Sequence, residues 1–597
     1  MINTRLKALR TKMQEDGLDA VIFPSNDPHQ SEYVADYWKI RAHFSGFTGS
    51  AGTLVVTQTE AALWTDSRYF LQVEQQCSDS DVELHKQSIP HAPEHVDWIC
   101  EILPEKSTIG IDHRLFSYGM MEFIDSSASK KDITLSDIPT LVEEVWEDRL
   151  EQTNTPIVDH PIAYCGESRE EKFGRVRTLL EENNADYLLV SGLDEIAWLF
   201  NIRSTDVDFT PLVTAYGLIG KDSAILYSKE SRFDESLLAD LKAAGVQLEA
   251  YSSIGRSLTK LSKGKRILTD QNALNYACFA AIKGEIVYQL STIQTWKSIK
   301  NAVEIENAKD GMRKDGIALT RFFIWLENYL KENTITEYEL GRRLEAFRKE
   351  QDLYTGESFA AIVGYKANGA IIHYTAPEKG SATIKNEGVL LIDSGAQYQN
   401  ATTDITRTIW LGGIPSDDLK KAYTLVLKGY IALETLRFPK EVVGMQLDSF
   451  ARMHLWQHGM NYGHGTGHGI GLFSMVHEPG QGFSSNGTTS RGTLAHEENQ
   501  FTSIEPGFYK EGAFGIRTEN IVVSKIVETT DFGTFMEFEP ITVCPIDTTL
   551  IDHELFTVQE VDWINAYHAK VYATLKNDLN AEEQNWLKEK CNPIVRS

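Results

Sequence analysis

The chain has few cations for its length, few cysteines and no long uninterrupted apolar run. Its 597 residues carry 58 Lys and Arg against 85 Asp and Glu, a formal charge of −27. Phosphate backbones are held by clustered cations, so a surface this acidic argues against nucleic acid or an anionic membrane as partner. No apolar run approaches the ~20 residues that span a bilayer. The amino terminus, Met1-Ile2-Asn3-Thr4-Arg5-Leu6, lacks the apolar core of a signal peptide. The six cysteines (Cys77, Cys100, Cys165, Cys278, Cys544 and Cys591) are scattered, with no CxxC pair. That distribution reads as buried thiols in a reducing cytosol, not as a disulfide framework. No GxSxG elbow is present to carry a serine nucleophile. The glycine cluster in Phe44-Ser45-Gly46-Phe47-Thr48-Gly49-Ser50-Ala51-Gly52 lacks the GKS/T ending and the GxGxxG order of phosphate loops. It reads as tight turns.

With 42% hydrophobic and 24% charged residues the composition is that of a globular enzyme. The length calls for two to four domains. A degenerate repeat organises the first half. Residues Lys7 to Asp27 align with Gly174 to Asp194 at a constant offset, matching Arg10 with Arg177, Thr11 with Thr178, Glu15 with Glu182 and Asp19 with Asp186. Each copy reads as an amphipathic helix, a turn and an apolar strand, the unit of layered α/β domains. Two related α/β domains are therefore expected, at 1–155 and 156–301, with a Pro-bearing linker from Thr153 to Ser168.

A third domain, 302–597, opens on a long helical pattern near Ala302. A helix near Glu337 to Lys349 follows, then Gly369-Ala-Ile-Ile-His373, where a histidine closes a short apolar strand. Further helices are expected at about Ser416 to Leu436 and Val443 to His458. One polar helix at about Val558 to Lys590 forms a surface or interface tail.

Four carboxylates in this domain sit at spacings that suit hairpins. With Tyr398-Gln399 as a two-residue loop, Asp393 would face Asp404. Centred on Gly512, a second hairpin would set Glu505 against Glu519 and Arg517 against Gly507. Directly opposed residues have Cβ atoms about 5 Å apart. Two carboxylates there repel by roughly 3 kcal/mol at an effective dielectric of ~20. Two divalent cations would balance the four charges. Between the pairs lies His464-Gly465-Thr466-Gly467-His468-Gly469-Ile470-Gly471, and residue type alone points to His464 and His468. No cysteine lies near. Oxygen-rich ligation with one imidazole suits Mn(II), with Co(II) or Zn(II) as alternatives. Metal-assisted amide hydrolysis is the economical chemistry.

These motifs resemble the pita-bread metallopeptidases, the group of methionine aminopeptidase, prolidase, creatinase and aminopeptidase P. The matching stretches are IDSGAQY, TTDITRT, GHGTGHGIG, SIEPGFY and GIRTENI, while SGFTGSAGT, WTDSRYFLQ and SGLDEIAWLFNIR resemble the two creatinase-like N-terminal domains of long cytosolic aminopeptidases P. The resemblance implies two Mn(II) ions. Asp393 would hold one, His468 and Glu505 the other, and Asp404 and Glu519 would bridge both. Glu505 would also be general base, and His373, His464 and His477 would hold substrate and stabilise the oxyanion. Arg517 would share the face of Glu519, near substrate or as partner to a carboxylate. The implied function is release of the N-terminal residue from peptides with proline second, by a cytoplasmic enzyme of a family commonly dimeric. The alternatives are a prolidase acting on Xaa-Pro dipeptides and a non-catalytic binding module.

Overall fold

The computed structural model describes residues 1–88, 92–152 and 154–595. They fall into two compact units: Met1–Pro161 with Glu167–Ile293, and Ile162–Gly166 with Gln294–Ser597.

The first unit contains the repeat. Helix α1 (Ile2–Glu15) and strand β1 (Ala20–Pro24) recur as α2 (Arg169–Glu182) and Tyr187–Val190, so helix and strand both restart 167 residues on (169 − 2 and 187 − 20). Each strand opens a six-stranded sheet. In both, it sits third from one edge, antiparallel to the second strand of its own sheet in chain order and parallel to the fifth. The shared topology follows from the shared pattern: α1 and α2 turn Leu6, Leu9, Met13 and Phe173, Val176, Leu180 inward, and both strands are apolar throughout. The supposed linker is more structured than expected. Val158–Asp159 pairs with Ile202–Arg203, and Ile162–Cys165 is a short helix; Pro156 precedes the strand and Pro161 the helix, instead of marking free chain. Thr153 lies outside the described residues.

The long helix of the second unit is α3 (Ala302–Tyr329), capped by a reciprocal Asn301–Glu304 box. Helix α4 (Glu337–Arg348) follows. A three-stranded sheet then joins Ile362–Tyr365, β2 (Gly388–Ser394) and β3 (Ile405–Gly412). Helices α5 (Asp417–Glu434) and α6 (Gly444–Trp456) lead to a six-stranded sheet containing β4 (Gly467–Gly469), β5 (Phe501–Ile504) and β6 (Asn520–Thr530). Two apolar clusters lie beneath these elements, one from Met312 through Tyr430 and Ile504 to Leu575, the other joining Leu340 and Leu344 of α4 to Leu390 and Ile392 of β2.

Three expectations are corrected here. Gly369–His373 is not a strand: Lys366–Ala370 is a 3-10 turn and His373 lies in the loop after it. Apolar residues there pack a turn against the sheet without an alternating partner. The C-terminal helix is broken into Val558–Leu575 and Ala581–Lys590, because Asn580 caps a new helix. Nor is it a surface tail, since Ile564, Tyr567, Val571 and Leu575 enter the core. Thirdly, the first hairpin is shifted by two residues. Gln399 and Asn400 form its loop, Gln397 pairs with Thr402, and Asp393 faces Thr406 instead of Asp404. Asn400 anchors that loop to α3 through Nδ2 to Asp310 Oδ2 at 3.0 Å. A shift of two preserves the face, so the carboxylates stay on one side of the hairpin as diagonal neighbours. Among the described residues no helix is long and apolar enough to cross a membrane.

Candidate metal centre

Three strand pairs converge on one buried acidic cluster. Asp393 ends the apolar run of β2, and Asp404 immediately precedes β3. Glu505 follows β5 and Glu519 precedes β6, in a register that pairs Ile504 with Asn520 and Gly507 with Arg517. Glu505 and Glu519 are therefore opposed, as their spacing predicts. His468 is the middle residue of β4, which pairs with β5. Gly467 beside it has to be glycine: a Cβ there would lie 1.9 Å from the Ser503 carbonyl oxygen. That close approach, with Glu505 N–H donating to Thr466 O at 2.8 Å, brings the histidine strand to the glutamate strand.

Asp404, His468 and Glu519 each offer a ligand atom within 4.8 Å of the others, and all three are buried. His468 Nε2 lies 3.5 Å from Asp404 Oδ2 and 3.6 Å from Glu505 Oε1. Its Nδ1 faces the Gly469 carbonyl at 3.0 Å, and a carbonyl only accepts, so Nδ1 carries the proton. In the neutral ring Nε2 then presents a lone pair to two carboxylate oxygens. This is the orientation of a metal-binding imidazole, whose second nitrogen donates to a backbone carbonyl. Asp393 gives a second sign: Oδ2 accepts from Arg517 Nη2 at 2.6 Å and from Nε at 3.2 Å, while Oδ1 is buried and meets no hydrogen-bond donor. Glu519 Oε2 accepts from Thr406 Oγ1 at 2.7 Å. The donor set fits divalent cations: the His468 Nε2 lone pair faces two carboxylate oxygens, and Asp393 Oδ1 meets no donor.

Electrostatics tell the same story. Burial, then the charges of Asp393 and Glu505, push Asp404 well above the usual carboxylate range. Glu519 is raised by burial and then by Asp404 and Asp393. Burial lifts Glu505 to about 7 against the pull of Arg517. A carboxyl raised in the fold binds its proton more readily there than in the unfolded chain. The metal-free protein thus loses stability as pH rises from the ordinary 4.5 through about 7 for Glu505. Cations compete with those protons. Added Mn(II) should therefore raise the calorimetric Tm more at about pH 7.5 than at about pH 5; an equal gain at both would count against carboxylate ligation.

The remaining site candidates ring this cluster. The His477 ring meets the His468 ring edge-on at 4.4 Å. His464 Nδ1 faces Gly465 O at 2.7 Å, so Nε2 accepts from Tyr509 OH at 2.8 Å. Tyr509 in turn accepts from Arg517 Nη1 at 2.6 Å. Arg517 is 2% exposed, which removes any reading of it as a surface arginine. The Gly507 position opposite it is filled by the Tyr509 hydroxyl. The Arg517 Nη2 group also reaches Ile372 O at 3.5 Å, beside His373. Sequence reasoning missed Thr406, Tyr509 and Arg407. Arg407 donates to Glu519 O at 2.7 Å and to Tyr567 OH at 2.9 Å, so the C-terminal helix braces the backbone of Glu519. Thr406 alone carried a signal, two residues from Asp404 on an alternating strand.

Comparison with known proteins agrees with this geometry. Residues 306–525 match the model of Metallopeptidase family M24, residues 534–594 its C-terminal region, and residues 5–145 and 148–304 two models of the Creatinase/Prolidase N-terminal domain. A probable Xaa-Pro aminopeptidase P of Laccaria bicolor is 38% identical over 99% of this chain and 94% of its own. The X-prolyl aminopeptidase of Caenorhabditis elegans, described as a cytosolic enzyme with a dinuclear active site, superposes with a TM-score of 0.94 at 31% identity, both chains covered in full. An Xaa-Pro dipeptidase of Bacillus anthracis, 25% identical with a TM-score of 0.50, covers 64% of this chain and 99% of its own. Two creatinase-like domains before a pita-bread unit define a metal-dependent peptidase of the M24 type. Within that class, the chain belongs to the Xaa-Pro aminopeptidase P family.

Proposed function

We propose that the chain releases the N-terminal residue from peptides whose second residue is proline, with Asp393, Asp404, His468, Glu505 and Glu519 holding two divalent cations. The observation that carries this is the His468 lone pair aimed between Asp404 and Glu505. Bound there, the cations would supply Lewis acidity and a water of lowered pKa. Glu505 takes a proton from the attacking water and returns it to the departing proline nitrogen, which as a tertiary amide has none of its own. Arg517 holds Asp393 and Tyr509. Tyr509 keeps His464 in its Nδ1–H form, and His373 and His477 complete the wall against which substrate lies. Mn(II) is the proposed metal, because oxygen ligands with one imidazole suit it. A cytoplasmic location and a homodimer are proposed with it, as is a division into domains at 155/156 and 301/302. The dipeptidase alternative is disfavoured because such a relative matches only 64% of this chain.

An Xaa-Pro bond fixes φ near −65° and offers no N–H, so a site that accepts it presents a slot for the ring. Alanine leaves part of that slot empty, worth roughly 1–3 kcal/mol. The Mn-loaded protein should cleave Arg-Pro-Pro at least about tenfold better in kcat/KM than Arg-Ala-Pro, and should leave amino-acetylated Arg-Pro-Pro intact. Release of the first residue is followed by chromatography. Equal cleavage of the alanine peptide would make this a general aminopeptidase, and cleavage of the acetylated peptide would remove the aminopeptidase reading.

A further inference from the structure

Behind the acidic cluster lies a second buried polar group with no part in the chemistry above. Arg348, at the end of α4, is fully buried. Its Nε donates to Asp315 Oδ1 at 2.8 Å and its Nη2 to Asp315 Oδ2 at 3.2 Å, a two-point ion pair between α4 and α3. Nη1 donates to Glu357 Oε2 at 2.7 Å. The rest of the guanidinium is spent on the first hairpin: Nη2 reaches Ser394 Oγ at 3.1 Å and Nη1 reaches Gly395 O at 3.2 Å. Asp315 holds the opposite arm, accepting from Thr403 Oγ1 at 3.0 Å.

Ser394 is the neighbour of Asp393, and Thr403 the neighbour of Asp404. Along an extended chain adjacent side chains point to opposite faces. Arg517 therefore grips Asp393 on one face of the hairpin while Arg348 grips Ser394 on the other. The two arms are close: a Cβ at Gly395 would lie 1.9 Å from Thr403 O and 2.3 Å from Ser358 Oγ. Ser358 fastens both arms, donating through Oγ to Thr403 O at 2.8 Å and through N–H to Gly395 O at 2.9 Å.

We infer that the Arg348–Asp315 pair is a positioning device, which sets the separation of Asp393 and Asp404 from the far face of their hairpin. It rests on the reading that these two carboxylates hold metal. Like charges brought together in a buried site push their strands apart, and on the far face of the hairpin hydrogen bonds must oppose that force. One ion pair bonded to both arms adds a charged tie to those that Ser358 makes, and the helices α3 and α4 supply its anchor. A planar, two-pronged guanidinium suits the task where an ammonium does not.

Removing Arg348 would strand two buried carboxylates and endanger folding. The first test therefore cuts the side-chain links to the hairpin, in the Ser394→Ala/Thr403→Val double variant of the full chain, beside Ser394→Ala alone, because the Thr403 hydroxyl also accepts from Ala396 N–H at 2.9 Å whereas Ser394 Oγ serves Arg348. Mn(II) binding to metal-free protein is measured by equilibrium dialysis, beside Tm and far-UV circular dichroism. The expected result is affinity at least about tenfold weaker, with the metal-free spectrum kept and KM for Arg-Pro-Pro at saturating Mn(II) within about twofold. Should the double variant not fold, Ser394→Ala alone, which removes a bond to Arg348 and no bond within the hairpin, is read for a loss of at least about threefold. Affinity within about twofold of wild type in the folded variant overturns the inference while the metal assignment stands. Wild-type protein that takes up no Mn(II) overturns both.

Discussion

Asp404→Asn is expected to lower kcat/KM at least about a thousandfold, a loss of about 4 kcal/mol in transition-state stabilisation, and to strip the protein of metal. Asp404 is 4% exposed, and its Oδ2 faces His468 Nε2 at 3.5 Å. Asparagine keeps its shape and removes its charge. It also turns an acceptor into a donor toward a nitrogen that already presents a lone pair, so an amide-to-imidazole hydrogen bond can occupy the space meant for a cation. The same change removes a charge that burial, and then repulsion from Asp393 and Glu505, disfavours. The metal-free variant should therefore unfold at or above the wild-type Tm at neutral pH, and should gain nothing from Mn(II). Metal analysis, calorimetry and peptide turnover check the three parts. Full activity in Asp404→Asn would sink the assignment.

Glu505→Gln is expected to lower kcat by about 10²–10⁴ with little change in KM. Glu505 differs from its partners in access: its side chain is 17% exposed, against 5% for Asp404 and 3% for His468. It is the more open side of the cluster, ahead of Asp393 at 10%. Burial places it at about 7, a value that suits the proposed role of general base near neutrality. Glutamine keeps an oxygen toward His468 but cannot take the proton. Turnover at saturating Mn(II) separates that defect from weakened metal binding. A variant impaired only in KM would move Glu505 from the chemistry to substrate binding.

The sequence by itself determined the elements and the cast of the site. Periodicity and capping residues located α3, α4, α5 and α6 to within a few residues, because a helix face and its cap are local. The constant repeat offset carried the two related sheets, since the same apolar spacing buries the same faces. Glu505 and Glu519 came out opposed because Gly512 fixes a tight turn between them. Tertiary structure decided the rest. The first hairpin slipped by two residues because Asn400 is anchored to Asp310 on α3, ninety positions away. Arg517 became a buried clamp on Asp393, from a position 124 residues away. The C-terminal helix became a brace for Glu519 through Tyr567 and Arg407. Arg348 and Asp315 reached the back of the hairpin from two helices. Such contacts depend on which distant surfaces meet, and local pattern does not encode the meeting of chain segments a hundred residues apart.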